Sequence, residues 1–304
     1  MRGEKQTVLR VEPGEDFVVT PLVERICRRA SAYLEAGYPV HFSGPAGTGK
    51  TTLALHLARL LGRPVMLIHG DEEVGSSDLL GRDKGVISRR LVDNFIHSVL
   101  KTEESVKSTW VDERLTIACR AGYTLVYDEF SRSHAEANNA LLPILEGGVL
   151  TLPKGSQHGS YIRVHPNFRA IFTSNPDEYA GVYTPQSALL DRMVTIKLGH
   201  YDRETEIAIT QAKSGLPREE AEKVVDIVEA VREGVDPMKQ PTVRACIMIG
   251  RILYHRQGRI EPEDPLLMET CLDVLGFDPD SEEKIRPILE AALGPKAPAY
   301  GGRG

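Results

Sequence analysis

Residues 38–52, YPVHFSGPAGTGKTT, constrain this chain more than any other stretch. An apolar run too short for a helix enters a turn with three glycines. It leaves through Lys50, Thr51 and Thr52 into TTLALHLARLLG, which has helical spacing and stops at Gly62, as a helix C-cap would. The turn fits G-x-x-x-x-G-K-[ST] in full, with Gly44, Pro45, Ala46, Gly47, Thr48, Gly49, Lys50 and Thr51 in order. Gly44, Gly47 and Gly49 let backbone N–H groups curl around phosphate oxygens, and the helix that follows aims its positive end at them. In this pattern Lys50 reaches the β- and γ-phosphates, Thr51 offers a hydroxyl to Mg²⁺ and Thr52 continues the helix, so ATP and Mg²⁺ are the expected cofactors.

The flanking sequence supplies the sheet such a loop requires. Strand-like and helix-like segments alternate through PVMLIHG, GYTLVYDE, FRAIFTSNP, SALLDRM and VTIKL, the pattern of a parallel sheet with helices on both faces. From about residue 202 only helical patterns follow, as in PREEAEKVVDIVEAVREG, where Val224, Ile227, Val228 and Val231 share a face. The expected organisation is an α/β nucleotide-binding P-loop domain over 1–201 and a small all-helical lid domain over 202–293, with a disordered tail at 294–304. The first domain carries an N-terminal arm, a helical insert over about 82–120 and a β-hairpin insert over about 148–166.

Bulk properties narrow the function classes. A formal net charge of −6 argues against a dedicated nucleic-acid binder, which wants a basic face. No apolar run approaches the roughly 20 residues that span a bilayer, and the N-terminus lacks a signal-peptide core, so a cytoplasmic protein is expected. Cys27, Cys119, Cys246 and Cys271 form no CxxC pair and read as buried thiols, and the nine histidines show no metal-ligand spacing.

The P-loop needs an acid to complete its chemistry, and TLVYDE provides two. Asp128, at the strand end, suits a Mg²⁺ ligand acting through water, and Glu129 suits the base that orients and deprotonates the attacking water. Asn175 ends AIFTSN, beside the acids if the sheet is parallel. There it either bonds the attacking water or the γ-phosphate, or simply forms the turn before Pro176. Arg192, in SALLDRM, fits an internal ion pair or an arginine finger to the phosphate of an adjacent subunit; Arg244, in PTVRACIMI, fits a packing role or a group leaning over the nucleotide. Trp110 and the hairpin-tip residues Lys154 and His158 fit either ordinary structural positions or contacts to a client in a central pore.

Taken together, GPAGTGKT, LVYDEF, FTSN, LLDRM and PTVR, in that order and ahead of a helical domain, resemble the AAA+ ATPases. SSDLLG, the 82–120 segment and the hairpin resemble the MoxR branch, and YDEFSRSHAEANNALLPILEGGVLTLP is similar to the gas vesicle protein N family, over about residues 15–255. The resemblance implies a hexameric ring, a Mg-ATPase that assembles or enlarges gas vesicles by remodelling their structural or accessory proteins. It implies that Lys50, Thr51 and Asp128 bind ATP and Mg²⁺, that Glu129 activates water, that Asn175 and Arg244 are the two sensors and that Arg192 is the trans-acting finger. Where MoxR proteins commonly carry Asn-Arg after the acids, this chain has Ser131 before Arg132, leaving Arg132 as an inter-subunit or coupling residue. Two other readings stay open: a MoxR-like chaperone that matures a metalloenzyme, and a nucleotide-gated scaffold with little turnover.

Overall fold

The computed structural model describes residues 17–91, 103–153, 159–176, 187–257, 260–261, 264–276 and 279–293, with backbone alone at 83–91, 103–109, 238 and 279–281. The arm before residue 17, the hairpin tip with Lys154 and His158, and the tail at 294–304 lie outside the described residues. In chain order the elements are α1 (Pro21–Glu35), β1 (Val40–Ser43), α2 (Lys50–Leu60), β2 (Val65–His69), α3 (Ser76–Leu80), β3 (Gly81–Leu91), β4 (Glu103–Asp112) and α4 (Arg114–Ala121). They continue with β5 (Thr124–Asp128), α5 (Ala135–Asn138), α6 (Leu142–Gly147), β6 (Val149–Thr151), β7 (Tyr161–Arg163), β8 (Arg169–Ser174), α7 (Ser187–Leu190) and β9 (Val194–Lys197). Then come α8 (Arg203–Ser214), α9 (Arg218–Gly234), α10 (Val243–Arg256), α11 (Pro265–Leu275) and α12 (Pro279–Leu293). Among the described residues the chain forms two compact units. One holds Ala30–Ser43 and Ala54–Ile196; the other holds 17–29, Gly44–Leu53 and Lys197 onward.

The first unit is built on a five-stranded sheet in the order β2-β5-β8-β1-β9. The β2–β5, β5–β8 and β1–β8 ladders are parallel, so β2, β5, β8 and β1 end on one edge at His69, Asp128, Ser174 and Ser43. Every residue of β5 is buried, as a run of apolar side chains covered on both faces requires. Tyr127, Phe130 and Phe172 form the aromatic centre of the core, with Phe130 and Phe172 edge-to-face at 5.4 Å between ring centroids.

One local reading changes here, and the one left open at Trp110 is settled. Among the described residues of the helical insert expected over 82–120, the chain forms instead the antiparallel pair β3–β4, running from Gly81↔Asp112 to Leu91↔Glu103 with a register shift between Lys84 and Val86, and Arg114–Ala121 alone is helical; residues 92–102 lie outside the described residues. Charge-rich spacing does not discriminate between periods, whereas Val86, Ile87, Val106, Thr109, Trp110 and Val111 favour a strand. The segment EANNALLPILEGG is two short helices joined by a 3₁₀ turn, because Pro143 cannot continue a helix but can start one at α6. Trp110 is buried, donates its indole N–H to Asp112 Oδ1 at 2.9 Å and packs on Gly81, which makes it a core residue.

In the second unit, α8 to α12 enclose a core of Val224, Ile227, Val228, Cys246, Ile249 and Leu267 among others. Asp202 caps α8 by accepting from the Thr205 N–H, and Asp264 caps α11 in the same way at Leu266. Glu206, 2 % exposed, accepts two hydrogen bonds at 3.0 Å from one nitrogen of Arg232. Burial pushes the Glu206 carboxyl up, and the guanidinium opposes that shift. All four cysteines are buried and unpaired. Among the described residues no helix is long and apolar enough to cross a membrane.

Candidate functional site

The phosphate loop runs from Gly44, one residue past β1, into α2 at Lys50. Gly47 holds φ +81°, and a Cβ there would strike Thr242 Oγ1 and lie 3.0 Å from Arg244 Cβ. The start of α10 therefore rests directly on the loop, with Arg244 beside Gly47. Lys50 is buried, and its ammonium donates to the Gly44 and Pro45 carbonyls at 2.8 and 2.7 Å, inside the curve of the loop. The Thr48 hydroxyl donates to the Pro45 carbonyl, and the Tyr201 hydroxyl donates to the Thr48 carbonyl at 2.8 Å. Burial pushes the Tyr201 phenol up to about 12, so it stays a donor. Thr51 is half-buried and Thr52 is exposed at the first turn of α2. Against the loop lies a cavity of about 210 Å³ whose walls include Phe17, Val18, Tyr201, Ile209, Val243 and Ile247. An apolar slot beside a phosphate loop suits a flat heterocyclic base.

The acids sit at the sheet edge of the first unit. Asp128, 7 % exposed, accepts from the Thr173 hydroxyl at 2.6 Å through Oδ1, and His69 Nδ1 lies 3.4 Å from Oδ2. The same Thr173 oxygen accepts the Glu129 N–H at 2.9 Å. Glu129 has φ +50°, in the left-handed region, and its carbonyl accepts the Arg132 N–H at 2.9 Å, closing a tight turn. Gly70 donates its N–H to the Asp128 carbonyl, and a Cβ at Gly70 would collide with the Glu129 carbonyl, so only glycine lets β2 come this close. Arg132 Nη1 donates to Glu129 Oε2 at 2.9 Å. Arg132, which the sequence left as an inter-subunit or coupling residue, thus has Glu129 of the same chain among its partners.

Asn175, 6 % exposed, directly follows β8. Its neighbour Ser174 is fixed by His41, whose Nε2 lies 2.8 Å from Ser174 Oγ while Nδ1 lies 3.0 Å from Thr195 Oγ1. Burial lowers the His41 pKa to about 4, so the ring is neutral with one nitrogen donating and the other accepting. Arg192 makes the internal contacts that the sequence left open, donating to the Ala188 carbonyl at 2.6 Å and pairing with Glu146 at 3.2 Å.

The structure thus gathers the loop residues Gly44 to Thr52 with Arg244 in one unit, and Asp128, Glu129 and Asn175 along one sheet edge in the other. Sequence reasoning missed Thr173, Gly70, His41, Tyr201 and Thr242. Thr173 and Gly70 had a signal: a hydroxyl two residues before Asn175, and a glycine at the end of an apolar strand. Tyr201 and Thr242 are joined to the loop only by the fold.

Residues 39–193 match the family model of an AAA domain of the dynein-related subfamily. The chain is 48% identical to the gas vesicle ATPase GvpN of Ancylobacter aquaticus over 88% of its own length and 75% of the relative's. It is 47% identical to the gas vesicle ATPase GvpN1 of Halobacterium salinarum, over 92% and 80%. Among solved structures, a mutant RuvB of Thermotoga maritima superposes with a TM-score of 0.52 at 17% identity, covering 86% of this chain and 72% of the other, a likeness of fold. With its P-loop, its acid pair and these relatives, the chain is an AAA+ ATPase and belongs to the GvpN gas vesicle ATPase family.

Proposed function

We propose that this ATPase acts as a Mg²⁺-dependent, hexameric ring in the cytoplasm and drives gas vesicle assembly and growth by remodelling vesicle structural or accessory proteins. The observation that carries the reading is the complete phosphate loop and ordered acid pair in a chain 48% identical to a gas vesicle ATPase. The nucleotide-binding domain spans 1–201 and the helical lid 202–293.

In the reaction, the loop amides and Lys50 hold the β- and γ-phosphates of ATP, with the base in the apolar slot beside Tyr201. Thr51 and Asp128 offer hard oxygen donors, a hydroxyl and a carboxylate, of the kind Mg²⁺ takes. When bound, that ion neutralises charge on the phosphate oxygens. Glu129 orients a water and takes its proton as the water oxygen attacks the γ-phosphorus; the bond to the bridging β–γ oxygen breaks and ADP leaves. Asn175 positions the water or the γ-phosphate, and Arg244 reads the nucleotide from the start of α10. Arg192 serves the neighbouring subunit's phosphate after exchanging its Glu146 pairing, which is a half-exposed ion pair and inexpensive to break.

The test is a strain lacking the gene, complemented with the parent chain or with Glu129→Gln, scored for buoyant gas-filled shells, with native mass spectrometry of the purified chain in ATP. Shells and rings with the parent and no shells with Glu129→Gln are expected. Shells formed equally by Glu129→Gln would contradict a motor, and a strict monomer that hydrolyses ATP at a concentration-independent rate would contradict a trans-acting Arg192.

A further inference from the structure

One hydroxyl touches both acids. Thr173 is fully buried in β8, one residue beyond the Phe172 that pairs with Tyr127 of β5. A hydroxyl has a single proton to donate and lone pairs to accept. The Glu129 N–H can only donate, and it does so to Thr173 Oγ1 at 2.9 Å. The Thr173 proton is therefore directed the other way, to Asp128 Oδ1 at 2.6 Å, a short charge-assisted bond. Each bond's direction is fixed by its partner, an N–H that only donates and a carboxylate that accepts, so the orientation of the Asp128 carboxylate and the peptide plane of Glu129 are held by the same atom.

That plane needs setting. Glu129 lies at φ +50°, a region unfavourable to a side-chain-bearing residue that persists only where surrounding bonds determine it. The 3₁₀ turn holds the Glu129 carbonyl from the downstream side through the Arg132 N–H, and Thr173 holds its N–H from the sheet. Here both halves of the hydroxyl's capacity go to the acid pair.

We infer that Thr173 is a positioning residue for hydrolysis: it couples the Asp128 carboxylate to the main chain of Glu129, so that the acid and the residue that carries the base are held in one fixed relation. The inference rests on the ATPase reading above, and it says which part of the machine Thr173 governs. Nucleotide affinity comes from the phosphate loop, so loss of the hydroxyl falls on turnover rather than on binding.

The experiment compares Thr173→Val, which keeps the shape and removes the hydroxyl, with Thr173→Ser, which keeps the hydroxyl. Each is measured for thermal unfolding, affinity for a fluorescent ATP analogue, kcat and KM. Amide exchange of the peptide containing Glu129 is followed in the absence of nucleotide. The expectation for Thr173→Val is analogue affinity within about twofold of the parent, kcat lower by about tenfold or more and faster exchange at Glu129. Thr173→Ser is expected within about threefold of the parent in kcat, with the parent's exchange. Parent-like kcat and unchanged Glu129 exchange in Thr173→Val would overturn the inference, as would a Thr173→Ser variant as impaired as Thr173→Val. A parent chain without ATP turnover would instead overturn the ATPase reading, and Glu129 exchange alone would then decide on Thr173, with no change in Thr173→Val counting against it.

Discussion

Around the phosphate loop, side chains bond the main chain: Lys50 and Thr48 donate to loop carbonyls, Tyr201 donates to another, and Gly47 admits Thr242 and Arg244 at contact distance. At the sheet edge the setting is done by side chains on neighbouring strands and on the following turn, with Thr173 and His69 from the strands and Arg132 from the turn aimed at Asp128 and Glu129. A loop held through its backbone carbonyls grips any ligand with the right phosphates, and each of these bonds contributes a share of the grip. An edge shaped by side chains positions individual atoms, and a single hydroxyl can misplace it. Grip and turnover should therefore respond to different substitutions.

The largest effect is expected on the loop side. Arg232 bonds both Glu206 and the Pro241 carbonyl, just ahead of Thr242 and Arg244, so it anchors the segment that rests on the loop. Arg232→Ala leaves a nearly fully buried carboxylate unpaired and should cost about 3–5 kcal/mol in urea unfolding. It should also weaken ATP binding. A cost below about 1 kcal/mol would detach the loop from this anchor.

The edge has its own stability term, in His41. Its folded pKa of about 4 lies below the ordinary 6.5, so the unfolded chain binds the proton more readily. The stabilisation is whole above pH 6.5 and is lost as pH falls toward 4, by about 3 kcal/mol in total. Urea unfolding of the parent and of His41→Gln at pH 7.5 and 4.5 checks this: the variant should lose less stability on acidification than the parent does.

Two smaller effects refine the contrast. Tyr201→Phe removes one bond to the loop backbone, about 1 kcal/mol, and should weaken ATP affinity by about fivefold while leaving kcat at saturation unchanged. Arg132→Ala removes a half-exposed ion pair at the edge and should change unfolding free energy by less than about 1 kcal/mol. A larger loss would mean that Arg132 holds the turn after Asp128 as well as the Glu129 carboxylate.

How far the sequence could be read follows the same division. The loop from Gly44 to Thr51 is local, and its strand, glycines and helix could be read in order. Asp128 and Glu129 were legible as charges ending a buried strand, and Asn175 from the parallel order of β5 and β8. What escaped was pairing across long separations: Thr173 with Asp128, Tyr201 with Thr48, Gly47 with Thr242, none of which has a periodic signature. The β3–β4 ladder escaped for a different reason, since its two strands mix charged and apolar residues with no clean period of two. Trp110 could not be placed until Gly81 was seen beneath it.

Nucleotide affinity and single-turnover rate, measured side by side for Lys50→Ala and Glu129→Gln, address the division most directly. The account predicts that Lys50→Ala loses ATP binding, while Glu129→Gln binds ATP as the parent does and hydrolyses it about a hundredfold or more slowly. Equal loss of binding in both variants, or a Glu129→Gln chain that turns over within a few-fold of the parent, would contradict it.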